Sequence, residues 1–381
     1  MDKKRKIVYL VGGLLYPNGM CRVLSQKVNW LAEHTDYEVY MILTEKAGAP
    51  WYYHMSPRVK WVNFDINFDE LDTMPLFRKL WHYWHKQRRY RSMFTNYLME
   101  VRPDITVCTV RREINFINDI RDGSHKVGEI HFNRENYRQF DKPWLPGWVN
   151  EWVTNRWKHA LEREIRRLDQ FVVLTEEDSR DWRGMRNMSV IPNPLAYLPN
   201  QYSDCSSKTV IAAGRYTEQK GFDLLIRAWQ YVAEKHPDWR LNIYGGGDNE
   251  FYQRMANDLG LNGLVCCNRA VDDIYKCYRE SSFFVLSSRY EGFGLVLAEA
   301  MSAGLPVVSF ACPCGPRDIV TDGVDGLLVE RGNIQALSEA ICWMIDHDAE
   351  RRQFGKRAVL SARRYEEERI MRRWVDMFDS L

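Results

Sequence analysis

Short apolar runs rich in β-branched residues alternate with longer segments in which apolar positions recur every three or four residues, over most of the chain. The pattern predicts strands over 7–11, 37–43, 59–64, 105–107, 126–130 and 171–174. A second series follows at 209–213, 240–244, 264–267, 283–286 and 306–309, with helices such as 22–33, 223–235 and 295–303 lying between strands. Strand and helix in alternation predict an α/β protein whose parallel sheets are covered on both faces. The unbroken apolar run Phe283-Phe284-Val285-Leu286 suits a strand buried on both sides. Two prolines and then a polar run, from Ile191-Pro192-Asn193-Pro194 to Asp204-Cys205-Ser206-Ser207, mark the domain boundary. The expected architecture is a pair of Rossmann-like, doubly wound domains, 1–192 and 193–364, facing one another across a ligand cleft at the C-terminal ends of their strands.

Composition narrows the function. Lys plus Arg number 53 and Asp plus Glu 51, a net charge of +2, which gives no basis for bulk capture of nucleic acid. A 45% hydrophobic content excludes global disorder. Nine cysteines lie scattered without zinc spacing, as expected of a reduced, cytoplasmic chain. No apolar run approaches the ~20 residues that span a bilayer. Lys3-Lys4-Arg5-Lys6 before the apolar stretch 7–15 imitates a signal peptide, yet Tyr16-Pro17-Asn18-Gly19 reads as a turn and no small-residue cleavage site follows. A first buried strand is expected there instead.

The two halves differ in character. Ten of the 14 tryptophans lie in the first 182 residues. Residues 76–98 form a basic, aromatic helical segment in which Leu76, Leu80 and Trp84 make a stripe flanked by Phe77 and Trp81. From 76 to 100 six cations (78, 79, 86, 88, 89 and 91) face only Glu100. Such a helix can lie in a membrane interface, or it can pack its stripe on its own sheet with its cations in water.

Candidate chemistry concentrates in the second half. The segment from Ser287 to Val308 reads strand, Gly-rich turn, helix, Gly stop, strand, with Gly292 and Gly294 before a helix whose free N–H groups make an anion site. Glu291 precedes this helix and Glu299 lies eight residues on, up to ~12 Å away along a helix. That separation suits hydroxyls at two points of an elongated ligand rather than a shared proton. Arg215 and Lys220, in Gly214-Arg215-Tyr216-Thr217-Glu218-Gln219-Lys220-Gly221, bracket a loop before another helix and suit phosphate oxygens, unless they simply pair with Glu218. The acidic pairs Asp272-Asp273 and Asp322-Gly323-Val324-Asp325 make weak metal sites, the second reading better as a turn, so no metal is expected.

These motifs resemble the retaining glycosyltransferases of family 4, which have the two-domain GT-B fold. The likeness rests on the G-R-x-x-x-x-K-G run at 214–221, the E-x7-E motif from Glu291 to Glu299, Tyr244-Gly245-Gly246-Gly247, and Val190-Ile191-Pro192-Asn193-Pro194. It implies that Arg215 and Lys220 bind the donor diphosphate alongside Gly214. Glu291, with the amides of Gly292, Phe293 and Gly294 and the adjoining Leu295, would hold the donor sugar, and Glu299 the ribose. Gly245, Arg269 and Val271 would border the base. In the first half, Gly19 in Asn18-Gly19-Met20-Cys21-Arg22-Val23 would approach the phosphate, although Cys21 stands where the family has an acid. His131 matches the family's histidine at a strand end and joins the catalytic set. The resemblance further implies a C-terminal helix (365–381) crossing back to the first domain. It implies no required cofactor, and a nucleotide sugar as donor substrate, UDP-linked by preference and GDP-mannose as the rival. The acceptor would be a glycan or lipid-linked glycan in polysaccharide biosynthesis, made in the cytoplasm, with peripheral contact at the inner membrane face. Cys312-Pro313-Cys314-Gly315-Pro316-Arg317-Asp318 resembles a segment of family members that build bacterial surface polysaccharides. A Rossmann oxidoreductase is disfavoured, because no strand leads into G-x-G-x-x-G. A non-catalytic sugar-nucleotide or membrane-binding protein of the same fold is the alternative from another class, distinguishable by loss of Arg215, Lys220 or Glu291.

Overall fold

A computed structural model describes residues 4–14, 19–135 and 146–381. The chain divides into two compact units. The first comprises Met1–Leu174, Trp182–Ile191 and Met371–Leu381, the second Thr175–Asp181 and Pro192–Ile370.

The first unit contains β1 (Lys6–Val11), α1 (Gly19–His34), β2 (Glu38–Leu43), β3 (Lys60–Asn63), α2 (Leu76–Val101), β4 (Ile105–Cys108), β5 (His125–Glu129), α3 (Gly147–Ile165), β6 (Gln170–Val173) and β7 (Met188–Val190). Its seven strands are all parallel, in the order β3-β2-β1-β4-β5-β6-β7. Such an order forces each connection over a face of the sheet, so both faces acquire helices and the central strands become apolar throughout. Ile7, Val8, Tyr9, Leu10 and Val11 of β1 are all buried. Phe94 and Leu98 of α2 and Leu161 and Ile165 of α3 form one core with Val8 and Leu10. The N-terminal segment 6–11 is thus a core strand; of the turn read at 16–19, residues 16–18 lie outside the described residues and Gly19 opens α1.

The second unit begins with α4 (Glu176–Asp181), then β8 (Thr209–Ala213), α5 (Phe222–Lys235), β9 (Arg240–Gly245), α6 (Asn249–Asp258), β10 (Val265–Arg269), α7 (Ile274–Arg279), β11 (Phe283–Leu286), α8 (Leu295–Ser302), β12 (Val307–Phe310), α9 (Pro316–Ile319), β13 (Gly326–Val329), α10 (Ile334–Asp346) and α11 (Asp348–Ala362). Its six parallel strands run β10-β9-β8-β11-β12-β13. Leu225 and Trp229 of α5 and Leu337 and Ile341 of α10 pack with Ile243, Val285 and Val308 of the sheet. The short helix α4 groups here because Glu177 takes the Arg317 guanidinium and the Cys314 N–H, while the Glu177 N–H donates to Asp318.

Two strands were not anticipated. β7 has three half-buried residues at a sheet edge, too short for an alternating signal. β13 opens on Gly326 directly after the 322–325 turn, whose Asp325 is buried and accepts hydrogen bonds from the Thr321 N–H and Ser361 hydroxyl. The last helix, α12 (Glu367–Asp379), contributes buried Trp374 and Phe378 to the first unit. There the Arg5 guanidinium donates to the Phe378 carbonyl at 2.6 Å and the Tyr37 hydroxyl to Asp379 at 2.6 Å.

Candidate functional site

In the second unit the chain leaves β8 toward β9 on one side and enters β11 on the other, although β8 and β11 are neighbours. Loops at such a switch point diverge from adjacent strand ends and leave a crevice between them. The loop after β8 carries Arg215 and Lys220; the loop after β11 carries Glu291 to Gly294. The topology therefore brings residues some 70 positions apart to one strand end.

The geometry at that strand end is specific. Lys220 Nζ donates to Glu291 Oε1 at 2.6 Å, and the Ser288 hydroxyl donates to the same oxygen at 2.6 Å. Both charged side chains are largely buried, Lys220 at 13% and Glu291 at 6% exposure. The alternative, surface pairing with Glu218, does not form; Lys220 turns inward to the second loop. Arg215 is exposed and has no side-chain hydrogen bond or ion pair among the described residues. One cation is thus held in place and the other is available to a ligand.

The two loops are tied together by groups that sequence reasoning missed. The Ser287 hydroxyl donates to the Lys220 carbonyl (2.9 Å), and the Gln219 side chain to the Tyr290 carbonyl (3.0 Å). Arg289 donates to the Glu218 carbonyl (2.6 Å) and makes a two-pronged bond to Asp223 at 2.8 Å to each oxygen. Burial pushes the Asp223 carboxyl up, but Arg289 outweighs it and holds it below its ordinary value. Arg289 and Asp223 lie 66 residues apart, and nothing local in the sequence marks them as partners.

Close approach requires glycine at several points, two of them between these strand ends and loops. A Cβ on Gly245 would fall 1.7 Å from the Gly214 carbonyl oxygen, and one on Gly221 2.1 Å from that of Ser287. The β8 and β9 ends and the two site loops touch backbone to backbone. Tyr216 locks the first loop from below, its hydroxyl donating to the carbonyls of Ile243 and Asn268 at 2.9 Å.

Gly294 caps α8, and Gly292, Phe293 and Leu295 lead into its first turn, where free N–H groups gather. Glu299 is buried within α8. The Tyr197 hydroxyl is pushed up by burial first and then by Asp273 and Glu299. Gly245 and Arg269 end the paired strands β9 and β10, with Arg269 and Val271 exposed. The structure thus gathers Gly214, Lys220, Gly245, Glu291 and the start of α8 on one end of one sheet.

In the first unit Gly19 opens α1, and Asn18 lies outside the described residues. Cys21 donates from Sγ to the Gly13 carbonyl at 2.9 Å, fastening α1 to the loop after β1. His131, two residues past β5, has Nε2 3.3 Å from Glu129 Oε1 and is 4% exposed. Glu129 is fully buried and also pairs with Lys27 of α1. Burial pushes the Glu129 carboxyl up, but Lys27 and His131 prevail and bring it to about 2. Val110, just past β4, adopts φ 53°, a strained value for a β-branched residue, at this sheet's own switch point.

One metal-capable group exists among the described residues, at positions other than those the sequence suggested: Asp178, Asp181 and Cys314 place ligand atoms within 4.8 Å of one another. Burial pushes the Cys314 thiol far up, with Asp178 and Glu177 adding to it, so the sulfur keeps its proton. It donates to Asp178.

Against known proteins, residues 201–360 match the family model for glycosyl transferases group 1. An uncharacterized glycosyltransferase of Haemophilus influenzae is 33% identical over 211 residues, covering 54% of this chain and 60% of that protein. A poly(ribitol-phosphate) alpha-N-acetylglucosaminyltransferase of Staphylococcus aureus is 27% identical over 270 residues, 69% of this chain and 52% of that one. The chain therefore spans only about half of such curated relatives. Among solved structures, a point mutant of S. aureus TarM, in complex with fondaparinux, alpha-GlcNAc-glycerol and UDP, matches with a TM-score of 0.76 at 18% identity, covering 98% of this chain and 100% of that chain. The match over both units, with their seven- and six-stranded parallel sheets, shows the GT-B fold class.

Proposed function

We propose that the chain is a retaining glycosyltransferase of family 4 that moves a hexose or N-acetylhexosamine from a nucleotide sugar to a glycan or lipid-linked glycan in polysaccharide biosynthesis. The observation that carries this reading is the Lys220–Glu291 pair, set at 2.6 Å between two backbone-packed loops beside the start of α8. Fixed positive groups at a strand end suit a diphosphate, and a buried carboxylate beside them suits a sugar hydroxyl. Arg215 and Lys220 neutralise the departing diphosphate, Glu291 and the amides of Gly292 to Gly294 hold the sugar, and Glu299 holds the ribose. Gly245, Arg269 and Val271 border the base. Gly19 is assigned to the phosphate and His131 to the catalytic set by family resemblance.

In the reaction the acceptor oxygen bonds to the anomeric carbon as the bond from that carbon to the phosphate oxygen breaks. Attack comes from the face the diphosphate leaves, and the acceptor proton passes to the leaving phosphate. Neither glutamate forms a bond to the sugar. The charge that develops on the diphosphate is stabilised by preorganised cations and helix amides. UDP is the preferred carrier, supported by the UDP bound to TarM; GDP-mannose is the second choice.

A melting experiment tests the reading. UDP raises the melting temperature and NAD does not, by mass action on the folded state. A panel of sugar nucleotides scored for slow donor hydrolysis then identifies the sugar without an acceptor. Lys220→Ala or Glu291→Ala lowers turnover by at least about a hundredfold while the protein stays folded. Stabilisation by NAD alone, or near-normal turnover in either variant, overturns the assignment.

A further inference from the structure

We infer that the first turns of α2 and α3 form a surface that docks on an anionic lipid bilayer. The argument starts from length. α2 has 26 residues and α3 has 19, so they extend ~39 and ~28 Å. The four-residue strands β4 and β6 that they precede extend only ~13 Å. Only three or four residues separate each helix from its next strand, so both are anchored at the N-terminal ends of the strands and overrun the sheet at the other end.

Burial follows that overrun. Among the described side chains of α2, none before Tyr90 is buried, and then Tyr90, Phe94 and Leu98 are. In α3 none before Leu161 is. The sequence stripe therefore does not pack on its own sheet: Leu80 is 58% exposed, Trp81 59% and Trp84 53%. Leu76 and Phe77 lie outside the described side chains. On α3, Trp148 is 73% exposed and Trp152 60%. Crossover geometry puts both sets of indoles at the same end of the first unit, on the same face of its sheet.

Cations accompany the rings. Arg88 lies over the Trp84 ring at 4.7 Å and Arg156 over that of Trp152 at 6.0 Å. Arg78 and Arg89 are exposed too. From 76 to 99 there is no acid, and from 147 to 160 only Glu151. Indoles seat at the headgroup level of a bilayer, and arginines between them meet anionic headgroups. A glycan could also stack on indoles. These rings, however, stand on the outer faces of helices interleaved with arginine, and that charge pattern selects an anionic surface. No described helix is long and apolar enough to cross a membrane, so the contact is peripheral.

Vesicle flotation of the full chain tests this. Wild type partitions onto phosphatidylcholine vesicles containing phosphatidylglycerol, with a blue shift of indole emission, and less so in high salt. Trp148→Ser/Trp152→Ser and Trp81→Ser/Trp84→Ser each weaken partition by about tenfold or more. Arg88→Gln/Arg89→Gln weakens it by roughly fivefold per charge. The UDP-induced melting shift stays unchanged in all three, which shows that they fold. No partition by wild type, undiminished partition of both tryptophan variants, or retention on a glycan polymer without vesicle binding overturns the inference. Wild type that binds vesicles but ignores UDP refutes the proposed function and leaves this one standing.

Discussion

Replacing Lys27 with methionine isolates one electrostatic interaction at nearly constant volume. Lys27 is 1% exposed on α1, pairs with the fully buried Glu129 at the end of β5, and lies over the Trp374 ring at 3.7 Å. Methionine fills the space but strands the carboxylate. Removing one partner of a buried ion pair costs about 3–5 kcal/mol. The carboxyl agrees in direction: against its own burial, Lys27 and His131 hold Glu129 at about 2, while burial in turn lowers the Lys27 ammonium. For a unit of this size the melting temperature falls by on the order of 10 °C. Lys27→Met/Glu129→Gln removes both charges and recovers most of the loss.

The pH dependence supplies a sharper criterion. In the wild type the depressed carboxyl contributes stability that is full above its unfolded value and is lost as pH falls toward 2. In Lys27→Met burial is opposed by His131 alone, so the carboxyl stands higher than in the wild type, and the variant's deficit narrows as pH is lowered from 8 to 5. Urea unfolding across that range, followed by circular dichroism, reads both effects. A single variant within ~1 kcal/mol of wild type at pH 7, or a double variant no better than the single, refutes the reasoning.

Two further outcomes follow from the second unit. Gly245→Ala drives a Cβ against the Gly214 carbonyl, where backbone on both sides has nowhere to move, and is expected to cost about 3 kcal/mol; an unchanged thermal melt rejects that packing. Arg289→Lys keeps the charge but loses the two-pronged bond to Asp223, so the Lys220 loop loosens and UDP binds roughly five- to tenfold more weakly with little loss of melting temperature, as titration calorimetry reads.

Eleven of the thirteen strands show in the sequence, the central ones because a parallel strand buried on both faces must be a continuous apolar run, as Phe283 to Leu286 and Ile7 to Val11 are. β7 and β13 lie at sheet edges, as β3 and β10 do, and escape because the first has only three half-buried residues and the second opens on a glycine straight out of a turn. Met188-Ser189-Val190 borrows its order from β6, and Gly326 is shaped by the turn before it rather than by its own composition. In α2 the period alone left two readings open, since a stripe looks the same whether it meets a sheet or solvent. Strand length decides between them, and strand length is a property of the partner, not of the helix.

The site divides along the same line. Lys220, Glu291 and the glycines are legible because each lies in a short motif whose spacing encodes its local geometry: a loop closing on a helix start. What holds them in place is not local. Arg289 finds Asp223 across 66 residues and Lys27 finds Glu129 across 102, and in both cases neighbours in space are set by strand order alone. The two contacts also differ in kind. Arg289 is partly exposed and fastens one loop to another, so its loss should be felt in ligand affinity. Glu129 is sealed in the core and touches His131, so any disturbance there reaches stability before it reaches chemistry. Motifs therefore locate the reacting groups, whereas the rigidity on which those groups depend is written in pairings that only the folded sheet brings together.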